Sequence, residues 1–205
     1  MTEASLWIWF KAGGPVMWPL LACSTMALTV ILERLVFWWR LDIARDKESI
    51  EWLLEEYRTS GSKPESLPTI RKGAVFAMLL SGIAHRDFSC TKAMEVVVLG
   101  HEKMMRRGMK TLDTIITVAP MLGILGTVTG IITSFDMLGR GGVDDPQVVV
   151  AGIAEALITT AAGLTISIAC VFPFNYFNTR IDDAMSTFEH YGTRLEVLVE
   201  KEKRD

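Results

Sequence analysis

The sequence predicts an all-α membrane protein with three transmembrane helices that are extended by long cytoplasmic helices. The mean hydropathy of the chain is +0.30, although 22% of its 205 residues are charged. Three stretches, residues 12–32, 114–135 and 156–179, contain no Asp, Glu, Lys or Arg. A run of about 20 apolar residues is long enough to cross the hydrocarbon core of a bilayer as a helix. No convincing strand pattern accompanies these stretches.

The first predicted span covers residues 14–39 and follows a predicted periplasmic N-terminus at residues 1–13. The N-terminus lacks the basic region of a cleavable signal peptide, and the apolar run behind it is long enough to span. Trp38 and Trp39 close the span, and we expect both rings to lie in the aromatic belt at a membrane surface.

Residues 40–113 are predicted to form a cytoplasmic helical loop. Its first helix carries apolar residues on one face, namely Ile43, Ile50, Leu53, Leu54 and Tyr57. A second helix is predicted over residues 69–85. A third is expected to start near Ser89 and to continue without a break through Arg107 into the second span.

The second span is predicted at residues 114–138, a periplasmic loop at 139–147 and the third span at 148–178. A cytoplasmic helix then covers residues 179–205. Apolar residues recur along it at spacings close to three and four, namely Ile181, Met185, Phe188, Gly192, Leu195 and Val199. Such a heptad-like stripe packs either on partner helices or on the loop helices of the same chain.

The distribution of Lys and Arg predicts the orientation of the spans. The loop at residues 40–113 contains thirteen of these residues and the tail after Thr179 contains five. Only Lys11 precedes the first span, and only Arg140 lies between the second and third. Because positive residues favour the cytoplasmic side, the loop and the C-terminus are expected in the cytoplasm and the N-terminus outside.

One face of the second span is made of very small side chains. Gly123, Thr127, Gly130 and Ser134 follow a helical spacing, and Gly126 stands four residues before Gly130. Small faces allow transmembrane helices to approach closely. For the glycines this predicts helix packing and pore lining, whereas for Thr127 packing and a role in an ion path are equal alternatives.

The third span contains a single carboxylate, Glu155, about 13 Å along the helix from Pro146. A charged side chain at the centre of a membrane helix costs about 3 kcal/mol or more, so Glu155 should face water or a bundle interior. No Lys or Arg in the neighbouring spans matches its depth, which favours an ion path over a simple ion pair. Thr159 shares its helical face, and Thr160 is rotated away by about 140°; both are candidates for the path.

Other residues of the two spans are expected to shape the helices. Gly163 extends the small-residue surface of the third span and is predicted to serve packing or pore lining. Pro120, Pro173 and Asn175 are predicted to kink or end the helices that contain them.

Residues 122–128 (LGILGTV) and 152–164 (GIAEALITTAAGL) resemble the MotA/TolQ/ExbB proton channel family, most closely its TolQ/ExbB branch. The resemblance implies a ring, most simply a pentamer, around a dimer of a single-span ExbD-like or TolR-like protein with an intramembrane Asp. It further implies that Glu155, Thr127 and Thr160 form the ion path. The location would be the bacterial inner membrane, where the proton-motive force drives work on the cell envelope or on outer-membrane transport.

The competing function is a passive membrane scaffold that anchors a partner helix without conducting ions. Protons are preferred to sodium because the TolQ/ExbB branch uses them. An enzyme is not expected because the spans contain no Ser/His, Asp/Asp or His-rich pair, and no cofactor or metal is expected since the three histidines are scattered. The net charge of −3 argues against nucleic-acid binding, which leaves protons, membrane lipid and protein partners.

Overall fold

A computed structural model of the chain describes residue 10 and residues 13–41, 47–60, 73–141 and 146–204. Over these residues the chain is helical and contains no strand. The six helices of this part are α1 (Met17–Arg40), α2 (Lys47–Ser60), α3 (Ala74–Ala84), α4 (Cys90–Met105), α5 (Met109–Gly141) and α6 (Pro146–Arg204). The predictions for most of the N-terminal segment, for Ile43 and for the middle of the 139–147 loop lie outside the described residues.

Three helical stretches are long and apolar enough to cross a membrane. They lie within Met17–Arg40, Cys90–Asp136 and Gly152–Glu202, with mean hydropathies of 1.8, 2.1 and 1.9 over their most apolar windows. Together with the helical content, they confirm the predicted all-α membrane fold class.

The first of two compact units comprises Met1–Arg34 and Gly108–Tyr176 and holds parts of α1, α5 and α6. Small and aliphatic residues, including Leu20, Ala27 and Ala119, are buried inside it. Large apolar side chains on the same helices are exposed, namely Leu28, Met121, Ile132, Leu157 and Phe172. Such a surface is unfavourable in water and suits contacts with lipid or protein.

The second unit comprises Leu35–Arg107 and Phe177–Asp205 and holds α2, α3, α4 and the C-terminal part of α6. Its core is built from larger side chains, and those of Leu53, Leu79 and Phe188 are buried. The predicted apolar face of α2 is confirmed for its described members, because Ile50, Leu53, Leu54 and Tyr57 are all buried.

The C-terminal stripe packs on helices of its own chain. Ile181, Phe188, Leu195 and Val199 are buried, and Met185 is partly exposed. A Cβ atom at Gly82 of α3 would lie 2.9 Å from the Leu195 side chain. The His101 ring of α4 stacks on Phe188 with 5.8 Å between ring centroids. Of the two alternatives that the heptad pattern left open, the structure therefore shows packing on the chain's own loop helices.

Polar contacts join α2 to the C-terminal part of α6. Arg194 donates to both carboxylate oxygens of Glu51, at 2.6 and 2.7 Å. This pair is exposed, so it contributes little to stability. The Tyr57 hydroxyl, in contrast, is buried and donates to Glu202 at 2.6 Å, and Arg86 contacts the other Glu202 oxygen at 3.3 Å.

The prediction of one unbroken helix from Ser89 into the second span was wrong. Helix α4 ends at Met105 and α5 begins at Met109. Gly108 lies between them with φ +77, a left-handed backbone conformation that residues with a side chain rarely adopt. The Arg106 N–H donates to the Glu102 carbonyl at 2.9 Å, which completes the last turn of α4 before the break.

The two tryptophans at the end of α1 differ in exposure. Trp39 is exposed, whereas Trp38 is buried beneath the Arg180 guanidinium, which lies 5.5 Å from its ring centroid. Trp38 therefore packs inside the protein whereas Trp39 is open to its surroundings, and the interfacial belt stays a prediction. A cation above the face of an indole is an attractive contact that favours burial of the ring.

Candidate functional site

Helices α5 and α6 approach each other closely because glycines face each other. A Cβ atom added at Gly163 would overlap the Ala119 carbonyl oxygen and lie 3.2 Å from Gly123 Cα. A Cβ atom at Gly123 would lie 3.0 Å from Thr160 Cα. Backbone therefore contacts backbone at this level, which a larger residue at either position would prevent.

The close approach continues along α5 in the direction of its C-terminus. A Cβ atom at Gly126 would overlap the Thr159 side chain, and one at Gly130 would lie 3.0 Å from Ala156 Cβ. Ser134 is buried and donates to the Gly130 carbonyl at 2.8 Å. Its hydroxyl also occupies the space that a Cβ atom at Gly152 would need. The small residues of α5 thus lie at its contact with α6.

Two threonine hydroxyls meet at the closest part of this contact. Thr127 Oγ1 of α5 lies 2.5 Å from Thr160 Oγ1 of α6. Both hydroxyls also reach the Gly123 carbonyl oxygen, Thr127 at 3.1 Å and Thr160 at 3.0 Å. The structure therefore brings together the two threonines that stood on separate predicted spans.

The hydroxyl pair has fewer protons than contacts. Each hydroxyl donates one proton and can accept others. Thr127, Thr160 and the Gly123 carbonyl form three contacts, and two hydroxyl protons can satisfy only two of them at a time. The bond that is left unmade can change without movement of a heavy atom, which is a property that proton relays require.

Thr159 occupies a different place from Thr160. Its side chain is buried, and its hydroxyl donates to the Ala156 carbonyl of the same helix at 2.8 Å. A longer contact of 3.5 Å reaches the Gly123 carbonyl. Thr159 therefore packs at the helix contact and satisfies its proton locally, although the sequence placed it with Thr160 as a candidate for the ion path.

Glu155 lies on α6, five residues before Thr160, or about 7.5 Å along the helix axis at 1.5 Å per residue. Its side chain is partly exposed and lies against the backbone of Gly14, in the turn that precedes α1. Within the described part of the chain no residue forms a hydrogen bond or an ion pair with its carboxylate. The acid is thus near the threonine pair in depth but is not bonded to it.

Ser167 is a polar residue of the site that sequence reasoning missed. Pro120 has no N–H, so within α5 it leaves the Ile116 carbonyl without its usual donor. Ser167 of α6 donates to that carbonyl at 2.7 Å. The signal was present in the sequence as a proline in one span and an unassigned serine in the next.

The predicted helix-shaping residues lie inside helices. Pro120 is inside α5, and Pro173 is inside α6. Helix α6 continues through Pro173 and Asn175 to Arg204, so neither residue ends it, contrary to one of the two expectations. A proline is tolerated inside a membrane helix when a neighbouring helix satisfies the freed carbonyl, as Ser167 does for Ile116.

These features define a class of protein: a multi-pass helical membrane protein with hydroxyls and the acid Glu155 on tightly packed spans. The family model of the MotA/TolQ/ExbB proton channel family matches residues 71–190. A protein of Synechocystis named ExbB-like 1 is 37% identical over 195 residues, which cover 92% of this chain and 77% of that protein.

Two further relatives carry the names ExbB and TolQ. Biopolymer transport protein exbB1 of Vibrio cholerae is 30% identical over 192 residues, or 86% of this chain and 81% of that protein. The Tol-Pal system protein TolQ of Pseudomonas aeruginosa is 30% identical over 110 residues, which cover 54% of this chain and 48% of that protein. The chain belongs to the MotA/TolQ/ExbB proton channel family, in its ExbB/TolQ branch.

Proposed function

We propose that this protein is the proton-conducting subunit of a motor in the bacterial inner membrane. The motor couples the proton-motive force to work on the cell envelope or on outer-membrane transport. The observation that carries the proposal is the pair formed by Thr127 and Thr160, in which two hydroxyl protons serve three contacts.

In this proposal Glu155 and the threonine pair act in sequence. Glu155 is the first group of the path to hold the proton, and within the described residues no hydrogen bond or ion pair occupies its carboxylate. Water bridges the axial gap of about 7.5 Å to Thr160. The pair then passes the proton on by exchanging donor and acceptor, with Gly123 supplying the carbonyl that holds both hydroxyls.

The charge distribution supports a direction for this movement. In the proposed orientation, which the positive residues favour, the 40–113 loop and the C-terminus lie in the cytoplasm, and the N-terminus and the 139–147 loop lie in the periplasm. Glu155 then lies toward the periplasmic end of its span, with the threonine pair deeper in the membrane. A proton that moves down its gradient would meet Glu155 first.

The assembly is part of the proposal. The exposed apolar side chains of the spans suit contacts with other subunits and with lipid. By analogy with the family, five copies form a ring around a dimer of a single-span ExbD-like or TolR-like partner. The intramembrane Asp of that partner would be the next proton acceptor. Native mass spectrometry of the complex purified from its host should show five copies of this chain with two of the partner.

Proton flux tests the function directly. Membrane vesicles from the native host, carrying the full chain and its own membrane partners, are given a potassium diffusion potential in sodium-free buffer, and a pH dye reports flux. We expect Glu155→Gln and Thr160→Val each to lower the flux at least tenfold. Thr133→Val is the matched control, since the exposed Thr133 hydroxyl donates to the Thr129 carbonyl of its own helix at 2.9 Å and bonds no other residue in the described part of the chain.

The outcomes separate the two candidate functions. A conducting subunit loses flux with Glu155→Gln while the complex remains assembled. A passive scaffold shows no flux that depends on Glu155, and its function survives a protonophore. Flux that appears only when sodium is added would overturn the assignment of the ion.

A further inference from the structure

The turn that precedes α1 lies against the Glu155 carboxylate. Helix α1 begins at Met17, and the Met17 N–H donates to the Gly14 carbonyl at 3.2 Å. A Cβ atom at Gly14 would overlap Glu155 Oε1 and lie 2.9 Å from Glu155 Cδ. The acid of α6 is therefore covered on one side by backbone rather than by a flexible side chain.

Glycine is required at position 14 for two separate reasons. Its φ of +66 is a conformation that residues with a side chain rarely adopt. Independently, the space that a Cβ atom would need is filled by the carboxylate. The preceding residue differs, because Gly13 does not have a positive φ and a Cβ atom there would meet mainly the flexible Met17 side chain, at 2.5 Å.

The turn is itself held in place. The Gly13 N–H donates to the Phe10 carbonyl at 3.4 Å, and the Phe10 ring packs edge-on against Trp18 of α1, with 5.2 Å between centroids. A Cβ atom at Gly13 would lie 3.4 Å from Ile158, about one helical turn after Glu155 on α6. The turn thus spans the surface of α6 around the acid and is anchored to α1.

We infer that Gly14 is a positioning residue for Glu155. The turn limits the directions that the carboxylate can take, and its described residues 13–16 carry no charged side chain. A side chain at position 14 would push the carboxylate away from its place about 7.5 Å along the axis from Thr160. The inference rests on the proposed function, since it assigns Gly14 a role in the same ion path.

The test compares Gly14→Ala with the same substitution at another glycine whose φ is also positive. Gly108 also has a positive φ, +77, but a Cβ atom there would meet the Val30 side chain and not Glu155. In the vesicle assay we expect Gly14→Ala to lower proton flux at least tenfold. Gly108→Ala and Gly13→Ala, at equal amounts of protein in the membrane, should lower it less than threefold.

A shorter acid at position 155 distinguishes a positioning role of Gly14 from a purely structural role, because only the positioning role depends on the length of the acid. Aspartate at position 155 withdraws the carboxylate by one methylene group from the space above Gly14. Glu155→Asp alone lowers flux, and adding Gly14→Ala to it should cause a further loss of less than twofold. The tenfold effect of Gly14→Ala should therefore appear only when the longer acid is present.

The result that overturns the inference is distinct from failure of the proposed function. If Gly14→Ala behaves like Gly108→Ala, or loses tenfold in both acid backgrounds, Gly14 does not act through Glu155. If Gly14→Ala fails to accumulate, restored accumulation in the Glu155→Asp background supports the inference and its absence overturns it. Normal flux with Glu155→Gln would instead refute the proposed function itself.

Discussion

The Ser167 hydroxyl donates a hydrogen bond of 2.7 Å to the Ile116 carbonyl on the facing helix. That carbonyl lies four residues before Pro120 and lacks the N–H that a non-proline residue would offer. In a membrane no water is available to replace the missing donor, so the neighbouring helix supplies it. The proline and the serine therefore form one structural unit although 47 residues separate them.

The coupling of these two positions can be measured. We expect Ser167→Ala to lower the free energy of unfolding by about 1 kcal/mol because it leaves the Ile116 carbonyl unsatisfied. In a Pro120→Ala background, the N–H of the new alanine donates to that carbonyl. Ser167→Ala should then lower the free energy of unfolding by only a few tenths of a kcal/mol. Unfolding titrations of the unsubstituted protein, the two single variants and the double variant in mixed micelles complete the double-mutant cycle. An equal cost in both backgrounds would show that the serine acts on something else.

Close backbone approach predicts opposite effects for two glycine substitutions. Gly163→Ala places a Cβ atom onto the Ala119 carbonyl oxygen, where only helix separation can relieve the overlap, and should cost about 1–3 kcal/mol. Gly100→Ala on α4 meets nothing within 4 Å and should stabilise its helix by up to about 1 kcal/mol. Thermal unfolding in detergent compares them. The interpretation fails if both variants shift the midpoint in the same direction.

Tyr57 predicts a loss of stability at alkaline pH. Burial, followed by the hydrogen bond to Glu202, raises the pKa of the Tyr57 hydroxyl to about 12 from an ordinary value of 10.0. Since the folded-state pKa is above the unfolded one, the stabilisation is complete below pH 10 and is lost as the pH rises toward 12. The loss is on the order of 2 kcal/mol. Tyr57→Phe should remove this part of the pH dependence, followed as unfolding free energy from pH 8 to 12.

The shared carbonyl predicts that Thr127 and Thr160 act as a unit. Thr127→Val and Thr160→Val should each reduce proton flux, and the double variant should be little worse than either, since one substitution already breaks the exchange of donors. Thr159→Val should keep most of the flux because the Thr159 hydroxyl bonds the Ala156 carbonyl of its own helix. If the loss of proton flux in the double variant equals the product of the two single losses, the two threonines do not act as one relay.

Much of the fold could be read from local patterns. Uncharged stretches predicted the apolar helices, and the spacing of apolar residues predicted the buried face of α2. The break at Gly108 was missed because the basic pair before it fits an interface and a glycine by itself does not reveal its φ. Burial of Trp38 was missed because the cation above it, Arg180, stands 142 residues later.

The sequence by itself determined the three apolar helical stretches, the family and the identities of the polar residues on the spans. These properties depend on composition and on spacings within one helix, which the chain carries locally. Tertiary structure alone decided that Thr160, and not Thr159, meets Thr127, since the two threonines differ by only 100° about the axis of α6. That rotation is set by the contact of Gly123 with Gly163, where the absence of side chains allows the two backbones to meet.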